Sequence, residues 1–213
     1  MIKLLGNIPN KIAIAISGGP DSMAAIDFLS NNTKREITAL HFNHGTDHAQ
    51  VAEQFVRKYC DDRGVPLVTG GVLREIGPGE SREAYWRSER YGWFTSWHHQ
   101  HRIPPIPIIT CHHLDDAVET WIFTSLHGNS RLIPYKRDNF IRPFLSTRKD
   151  DLTEWCKRRG VPFLTDPSNK DTAYMRNYIR HVLLPNALMV NPGLHKVVKK
   201  KVLEQYDKTV DVI

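Results

Sequence analysis

The amino-acid sequence predicts an α/β domain, a parallel sheet with helices on both faces. Short apolar runs alternate with longer segments of helical period along most of the chain, as strands joined by crossover helices do. The runs are apolar throughout rather than at every second position, the mark of strands covered on both faces. A length of 213 residues, with 40% hydrophobic and 24% charged side chains, suits one such domain with a full core and an ordinary polar surface.

Residues 11–17 (KIAIAIS), 36–44 (EITALHFNH), 65–69 (VPLVT) and 106–112 (IPIITCH) are the predicted strands. Residues 21–31, 48–63 and 81–101 lie between them, each long enough for a helix. In the second of these Val51, Phe55 and Tyr59 recur at every fourth position, and Gly64 stands where a C-cap is expected. Residues 114–126 form a fourth helix, and 128–143, rich in Arg, Asn and Pro, read as a loop. Thr147-Arg148-Lys149-Asp150 has the capping-box form and opens a helix that ends near Gly160. Residues 161–164 form a last short strand. From Asp171 the chain reads as helical, interrupted at Pro185 and at Asn191-Pro192-Gly193. The expected organisation is a catalytic domain over 1–185 and a helical tail over 186–213.

Composition narrows the function classes. No apolar run approaches the roughly 20 residues that span a bilayer. Residues 1–7 (MIKLLGN) lack the apolar stretch and cleavage site of a secretory signal. A cytoplasmic protein with no membrane partner is expected. The three cysteines, Cys60, Cys111 and Cys156, form no CxxC and no disulfide framework, which suits a reducing compartment. Each is expected to be a buried thiol rather than a nucleophile. The net charge of +6 fits a polyanionic partner, because Lys and Arg that neutralise phosphates gain from counterion release.

The sharpest motif is Ser17-Gly18-Gly19-Pro20-Asp21-Ser22, between the first strand and the first helix. Two glycines let the backbone turn tightly and approach an anion. The following helix offers unpaired N–H groups and the positive end of its dipole. Ser17 and Ser22 add hydroxyl donors, and Pro20 is tolerated in a first turn. The end of a strand in an open parallel sheet is also where ligands bind. The plain alternative is a Gly-rich connection. The loop is not a Walker A motif, since the chain has no GxxxxGK[ST], nor is there a GxGxxG fingerprint.

The second constellation, Cys111 to Thr120 (CHHLDDAVET), closes the fourth strand. Asp116 and Glu119 are three apart and share a helix face, where carboxylates can hold Mg²⁺ against phosphates. The alternative is that Asp115 and Asp116 serve the helix N-terminus as favourable charges. Adjacent histidines point in different directions, and no matching Cys or His set stands elsewhere, so zinc is not expected.

The loop resembles the pyrophosphate-binding loop of the PP-loop ATP pyrophosphatase superfamily, whose members cleave ATP to AMP and pyrophosphate. From about residue 11 to 185 the chain resembles the tRNA(Ile)-lysidine synthetase family within it. His41-Phe42-Asn43-His44-Gly45 is similar to that family's HxNHG. Glu83, Arg87, Arg90 and Tyr91 match a Glu-x-x-x-Arg-x-x-Arg-Tyr helix, and His112 to Thr120 match HHxDDxxET. Ile141-Arg142-Pro143 matches an arginine-proline element. Asp166-Pro167-Ser168-Asn169 with Arg176-Asn177, Ile179-Arg180 and Leu184-Pro185 matches the signature DPSN…RNxIR…LP.

The resemblance implies an enzyme that adenylates the wobble cytidine of tRNA(Ile) at its C2 oxygen, then lets free lysine displace AMP to give lysidine. A wobble base lies in a single-stranded loop where its edge can be read. ATP and Mg²⁺ are the implied cofactors, and the tRNA anticodon loop and lysine the implied partners. Ser17, Gly18, Gly19, Pro20, Asp21 and Ser22, with His41 and Asn43, would bind ATP, and Asp21 and Asp116 would hold Mg²⁺. Arg176 and Arg180 would face phosphate or developing charge. Glu119 or Asp166 would orient or deprotonate the amine. Arg87, Arg90 and Arg142 would meet tRNA phosphates, as would Lys199, Lys200 and Lys201 unless that basic stretch is a solvated helix face.

The sequence departs from the family at Thr46-Asp47, where Leu-Arg is usual. The Gly-rich stretch is shortened to residues 126–131, and no C-terminal tRNA-binding region is expected. Trp86, Trp93, Trp97 and Trp121 read as core or interface residues, with base stacking, which needs an exposed ring in a basic groove, as the alternative; His98, His99 and His101 read as an exposed helix end. Two rival functions remain open: a PP-loop tRNA thiolase, and a nucleotide- or RNA-binding module descended from the enzyme. Oligomeric state is also open, a homodimer included.

Overall fold

The computed structural model describes residues 1–31, 34–101, 105–167 and 171–210. The chain runs β1 (Lys11–Ala15), α1 (Pro20–Asn31), β2 (Glu36–Asn43), α2 (Asp47–Arg63), β3 (Leu67–Gly71), α3 (Arg82–Gln100), β4 (Ile108–Ile109), α4 (Leu114–Leu126), β5 (Lys136–Arg137), β6 (Phe140–Ile141) and α5 (Lys149–Arg159). It continues through α6 (Met175–Tyr178), a π-helical turn (Ile179–Leu183), α7 (Leu184–Val190) and α8 (Leu194–Val210). The sheet has the order β3-β2-β1-β4-β6-β5. All neighbours are parallel except β5 and β6. The α/β class is therefore observed.

The two faces of the sheet follow from the period of a strand. Ile12, Ile14, Ile37, Ala39, Ile109 and Ile141 point to one side, where α1, α2 and α5 bring Met23, Val56, Tyr59, Leu152 and Cys156. Ala13, Leu40, Phe42, Ile108 and Phe140 point to the other, against Phe94 and Trp97 of α3. A third cluster joins Leu114, Ala117 and Val118 of α4 to Leu184 of α7 and Leu194, Val198 and Val202 of α8. The strand order reverses direction between β1 and β4, β1 being flanked in parallel by β2 on one side and β4 on the other. The crevice at their carboxyl ends is a topological switch point.

Helix ends were the most legible boundaries. Gly64 (φ +63°) and Gly160 (φ +63°) both adopt the left-handed conformation at C-caps. Thr46 caps α2, its Oγ1 accepting from the Ala49 N–H at 3.1 Å. The Thr46-Asp47 departure thus has a local structural use.

Four expectations are corrected. Thr147 does not form a capping box for α5; its Oγ1 donates to the Lys3 carbonyl and accepts the Lys3 N–H at 2.9 Å. Arg148, the N-cap, makes no side-chain capping bond. Residues 161–164 are not a strand: instead the Leu164 N–H donates to the Gly18 carbonyl at 2.8 Å. The 128–143 loop contains the β5–β6 hairpin, whose β6 extends the sheet. Pro185 does not interrupt its helix; the π turn just before it absorbs the missing donor. The predicted second break is real, with Asn191 ending α7.

Candidate active site

The crevice is lined first by residues 17–22. The Ser17 N–H donates to Ser22 Oγ at 3.1 Å, and the two hydroxyl oxygens lie 3.2 Å apart. Ser17 Oγ accepts from the Gly19 N–H at 3.3 Å, while Ser22 Oγ donates to the Gly19 carbonyl at 3.0 Å. Gly18 has φ +84°, a conformation that costs other residues about 1–2 kcal/mol. The loop is thus shaped by its own side chains and pinned by Leu164. His41, 2% exposed, sits beneath it with Nδ1 2.9 Å from the Ile16 carbonyl. Burial pushes the His41 pKa down, so the ring is a neutral prop. Asn43 donates to Glu53 at 2.9 Å and accepts the Gly45 N–H at 2.8 Å, holding the turn after β2.

Asp21, in the first turn of α1, has one carboxylate oxygen buried with no hydrogen-bond partner. Its other oxygen lies 3.5 Å from His113 Nε2 and 3.9 Å from Lys149 Nζ. A buried carboxylate oxygen without a donor is costly, and in a crevice it is the kind of atom a cation satisfies.

Asp116 opens α4. Its carboxylate accepts the His113 N–H at 3.0 Å, and the Asp116 N–H donates to His113 Nδ1 at 3.3 Å, a reciprocal cap. The imidazole of His113 therefore stands between Asp21 and Asp116. Burial works against its charged form, but the carboxylates of Asp116, Asp21 and Asp115 outweigh burial and lift its pKa to about 9. A cation that neutralised those carboxylates would return it toward neutrality, the state in which Nδ1 can accept. Asp116 itself is pushed up by burial and held low by the two histidines and Arg180.

Glu119, one turn further along α4 and 4% exposed, receives Arg180 from the π turn in a bidentate pair of 2.6 and 2.9 Å. Burial pushes the Glu119 pKa up, and burial likewise disfavours the charge on Arg180. Glu119 nevertheless holds the guanidinium pKa above its ordinary value, with Asp116 and Asp21 adding to it. The pair is ionic, and Arg180 also lies 3.6 Å from Asp116. The π turn re-aims this arginine toward three carboxylates of the crevice.

The other expected site residues are more dispersed. Arg176 pairs with Glu83 at 2.9 Å, linking α6 to α3. Glu83, Glu119, Thr120, Arg176, Met175 and Ile179 are among the residues that line a cavity of about 200 Å³. Asp166 lies 3.8 Å from His48, away from that cavity. Arg87 and Arg90 both stack on Tyr91, at 4.7 and 5.7 Å from its centroid. Arg142 is 4% exposed and donates to the Pro134 carbonyl at 3.0 Å, so its guanidinium lies beneath the surface. Lys199 is half-buried on α8, while Lys200 and Lys201 are exposed. Ser168 and Asn169 lie outside the described residues. Trp97 is buried, as a core residue would be, while Trp86 is half-buried between His44 and Arg82.

Sequence reasoning missed Lys149, whose ammonium reaches Asp21 from the first turn of α5. It also passed over His195, now 3.1 Å from Asp115. No spacing rule signals either, because each arrives from a distant helix end.

The residues fit Mg²⁺ as a nucleotide-bound ion. Among the described residues no three His, Cys, Asp or Glu side chains form a metal cage. Mg²⁺ commonly takes one or two carboxylates and completes its shell with phosphate oxygens and water. Asp21, with its unpartnered oxygen, and Asp116 are carboxylates available beside the 17–22 loop.

The family model described as PP-loop domain matches residues 3–187. The tRNA(Ile)-lysidine synthase of Lactiplantibacillus plantarum is 30% identical over 197 residues, covering 87% of this chain and 44% of that protein. The synthase of Thermotoga sp. is 30% identical over 202 residues (90% and 48%), and that of Bacillus licheniformis 33% over 196 (85% and 41%). The chain thus spans about half the length of the curated relatives it matches. Among solved structures, the U34-tRNA thiolase NcsA from Methanococcus maripaludis, with its 4Fe–4S cluster, superposes with a TM-score of 0.73. Identity is 16%, over 99% of this chain and 74% of that one. The NH3-dependent NAD synthetase of Campylobacter jejuni superposes at 0.52 and 12% identity, over 94% and 87%. At these identities the structural likeness shows a shared fold. With its glycine-rich loop at the sheet's switch point and the family's model matched over residues 3–187, the chain belongs to the PP-loop domain family.

Proposed function

We propose that this chain is the ATP-cleaving, base-adenylating part of a tRNA(Ile)-lysidine synthetase-like ligase. The observation that carries the reading is the unpartnered Asp21 oxygen beside the self-braced 17–22 loop, facing Asp116 across His113. The similarity to curated lysidine synthases supports the substrate assignment.

In this reading the loop N–H groups and the α1 N-terminus bind the triphosphate, with Ser17 and Ser22 as hydroxyl donors. Asp21 and Asp116 hold Mg²⁺, which would neutralise charge on the phosphates. The cytidine C2 oxygen attacks the α-phosphorus, the α–β bond breaks, and pyrophosphate leaves with the bonding electrons. Arg180 stands where it faces the charge that builds up. The amine then adds to C2, loses a proton, and AMP leaves with the oxygen. Glu119 is the better placed of the two proposed carboxylates, because it lines the cavity and Asp166 does not. That cavity joins carboxylates, Arg176 and the apolar walls of Phe123, Met175 and Ile179, a combination that suits an amino acid with an aliphatic side chain.

The thiolase alternative is weaker. Among the described residues Cys60 lies on α2, Cys111 after β4 and Cys156 on α5. Burial pushes the thiols of Cys60 and Cys156 up to about 11 and about 12, and that of Cys111 higher still. Such thiols are poor nucleophiles.

Nucleoside mass spectrometry of tRNA(Ile) incubated with the protein, ATP, Mg²⁺ and lysine tests the whole reading. A cytidine carrying the mass of lysine less water is expected. Without lysine, adenylated tRNA should accumulate. Equal reaction with several amines would reject lysine and keep adenylation.

A further inference from the structure

Asp115, at the start of α4, is a junction of three helices. It accepts the Lys149 N–H at 2.8 Å, supplying from a distance the cap that α5 lacks at Arg148. Arg148 Nε donates to the same oxygen at 3.3 Å. The other oxygen accepts from His195 Nε2 at 3.1 Å. His195 lies in the first turn of α8 and is 7% exposed. It is flanked by Leu194 and Val198, which pack on α4. Beyond Asp115 the chain of contacts continues to His113 Nδ1 at 3.9 Å, and from His113 to Asp21 and Asp116 at 3.5 Å each. A buried imidazole among apolar neighbours is retained at a cost in desolvation, and its visible partner is this one carboxylate.

We infer that His195 is a positioning residue: acting through Asp115, it fixes the first turn of α4 so that Asp116 and His113 face Asp21 across the phosphate crevice. Asp115 meets the crevice through His113, 3.9 Å away. With one oxygen held from α5 and the other from α8, it sets the angle at which α4 enters. The C-terminal helix is on this account a working part of the site. The inference rests on the proposed function only in taking Asp21 and Asp116 as the Mg²⁺-nucleotide carboxylates.

The test is equilibrium binding of ATP as a function of Mg²⁺ concentration, with thermal melting, in the full chain. Three variants are compared: His195→Leu, His195→Gln and Val202→Ala. Gln keeps an N–H donor near the position of Nε2; Leu does not. Val202→Ala loosens the same helix without touching Asp115. Supporting residues of metal sites are typically worth ten- to a hundredfold in metal affinity. His195→Leu should raise the Mg²⁺ concentration for half-maximal ATP binding by about tenfold. His195→Gln should restore it to within about threefold, and Val202→Ala should lower the melting temperature without moving it. Were Leu and Ala variants to shift melting alike and leave the Mg²⁺ requirement unmoved, His195 would be a packing residue and the inference overturned. Failure of Gln to rescue would overturn it too. Absence of Mg²⁺-dependent ATP binding in the unsubstituted protein would instead defeat the proposed function, and this inference with it.

Discussion

On the proposed function, Asp21 carries the clearest conflict between stability and activity. Its buried, unpartnered oxygen contributes nothing to folding, so Asp21→Asn should melt at or above the temperature of the unsubstituted chain while losing ATP cleavage. A variant that loses both together would make Asp21 structural. Arg180 is the opposite case. Arg180→Ala leaves Glu119 buried without its bidentate partner, and breaking a buried pair from one side costs about 3 kcal/mol or more; denaturant titration measures it. Two histidines contribute to the acid limb of stability. Burial pushes the pKa of His44 and of His112 down to about 4, against about 6.5 in the unfolded chain. Between those values the unfolded state binds more protons, so the contribution of these two histidines is full above about pH 6.5 and falls as pH drops toward 4. Each histidine adds a slope of up to about 1.4 kcal/mol per pH unit. His44→Phe should flatten that limb in a pH series of unfolding curves, and an unchanged slope would show the ring already solvated.

At the scale of elements, the sequence was legible where local chemistry decides and opaque where distant groups do. The strands β1 and β2 and the helices α1 to α4 were visible as apolar runs, periods and caps, to within a few residues. The β5–β6 hairpin was not, because two-residue strands carry no period and owe their place to Phe140 and Ile141 pairing with β4. Residues 161–164 carry a strand-like pattern, yet their backbone is spent bracing Gly18. Thr147-Arg148-Lys149-Asp150 has a capping-box form, but Asp115 caps α5 from another helix. Pro185 reads as a break because a π turn cannot be inferred from residue type. The motif residues of the crevice were found because the loop and the first turn of α4 are contiguous in sequence. Lys149 and His195 were not, since only packing brings them there. Packing also explains Gly70: a Cβ there would fall 2.1 Å from the Trp93 ring. Gly70→Ala should therefore part α3 from β3, at about 1–3 kcal/mol, read as a lowered melting temperature with ATP binding retained.

The whole molecule presents a crevice at the switch point of the sheet, for which we propose phosphate binding, a mixed-charge cavity lined by α3, α4 and α6 residues, and basic side chains on α8. If tRNA is held mostly through phosphates, each one neutralised steepens the salt dependence by roughly 0.7 to 0.9 in log–log slope. Replacing Lys199, Lys200 and Lys201 with Ala should flatten that slope without altering ATP affinity. An anticodon stem-loop should bind within about tenfold of whole tRNA, a difference of roughly 1.4 kcal/mol. A larger gap would place contacts on the tRNA body. The central claim, that the crevice cleaves ATP between the α- and β-phosphates, is tested most directly by identifying the products formed from ATP with Mg²⁺ and tRNA. AMP and pyrophosphate in equal amounts, formed only with tRNA and absent in Asp21→Asn, is the predicted result. ADP and phosphate, or AMP formed undiminished by the Asp21 variant, would contradict it.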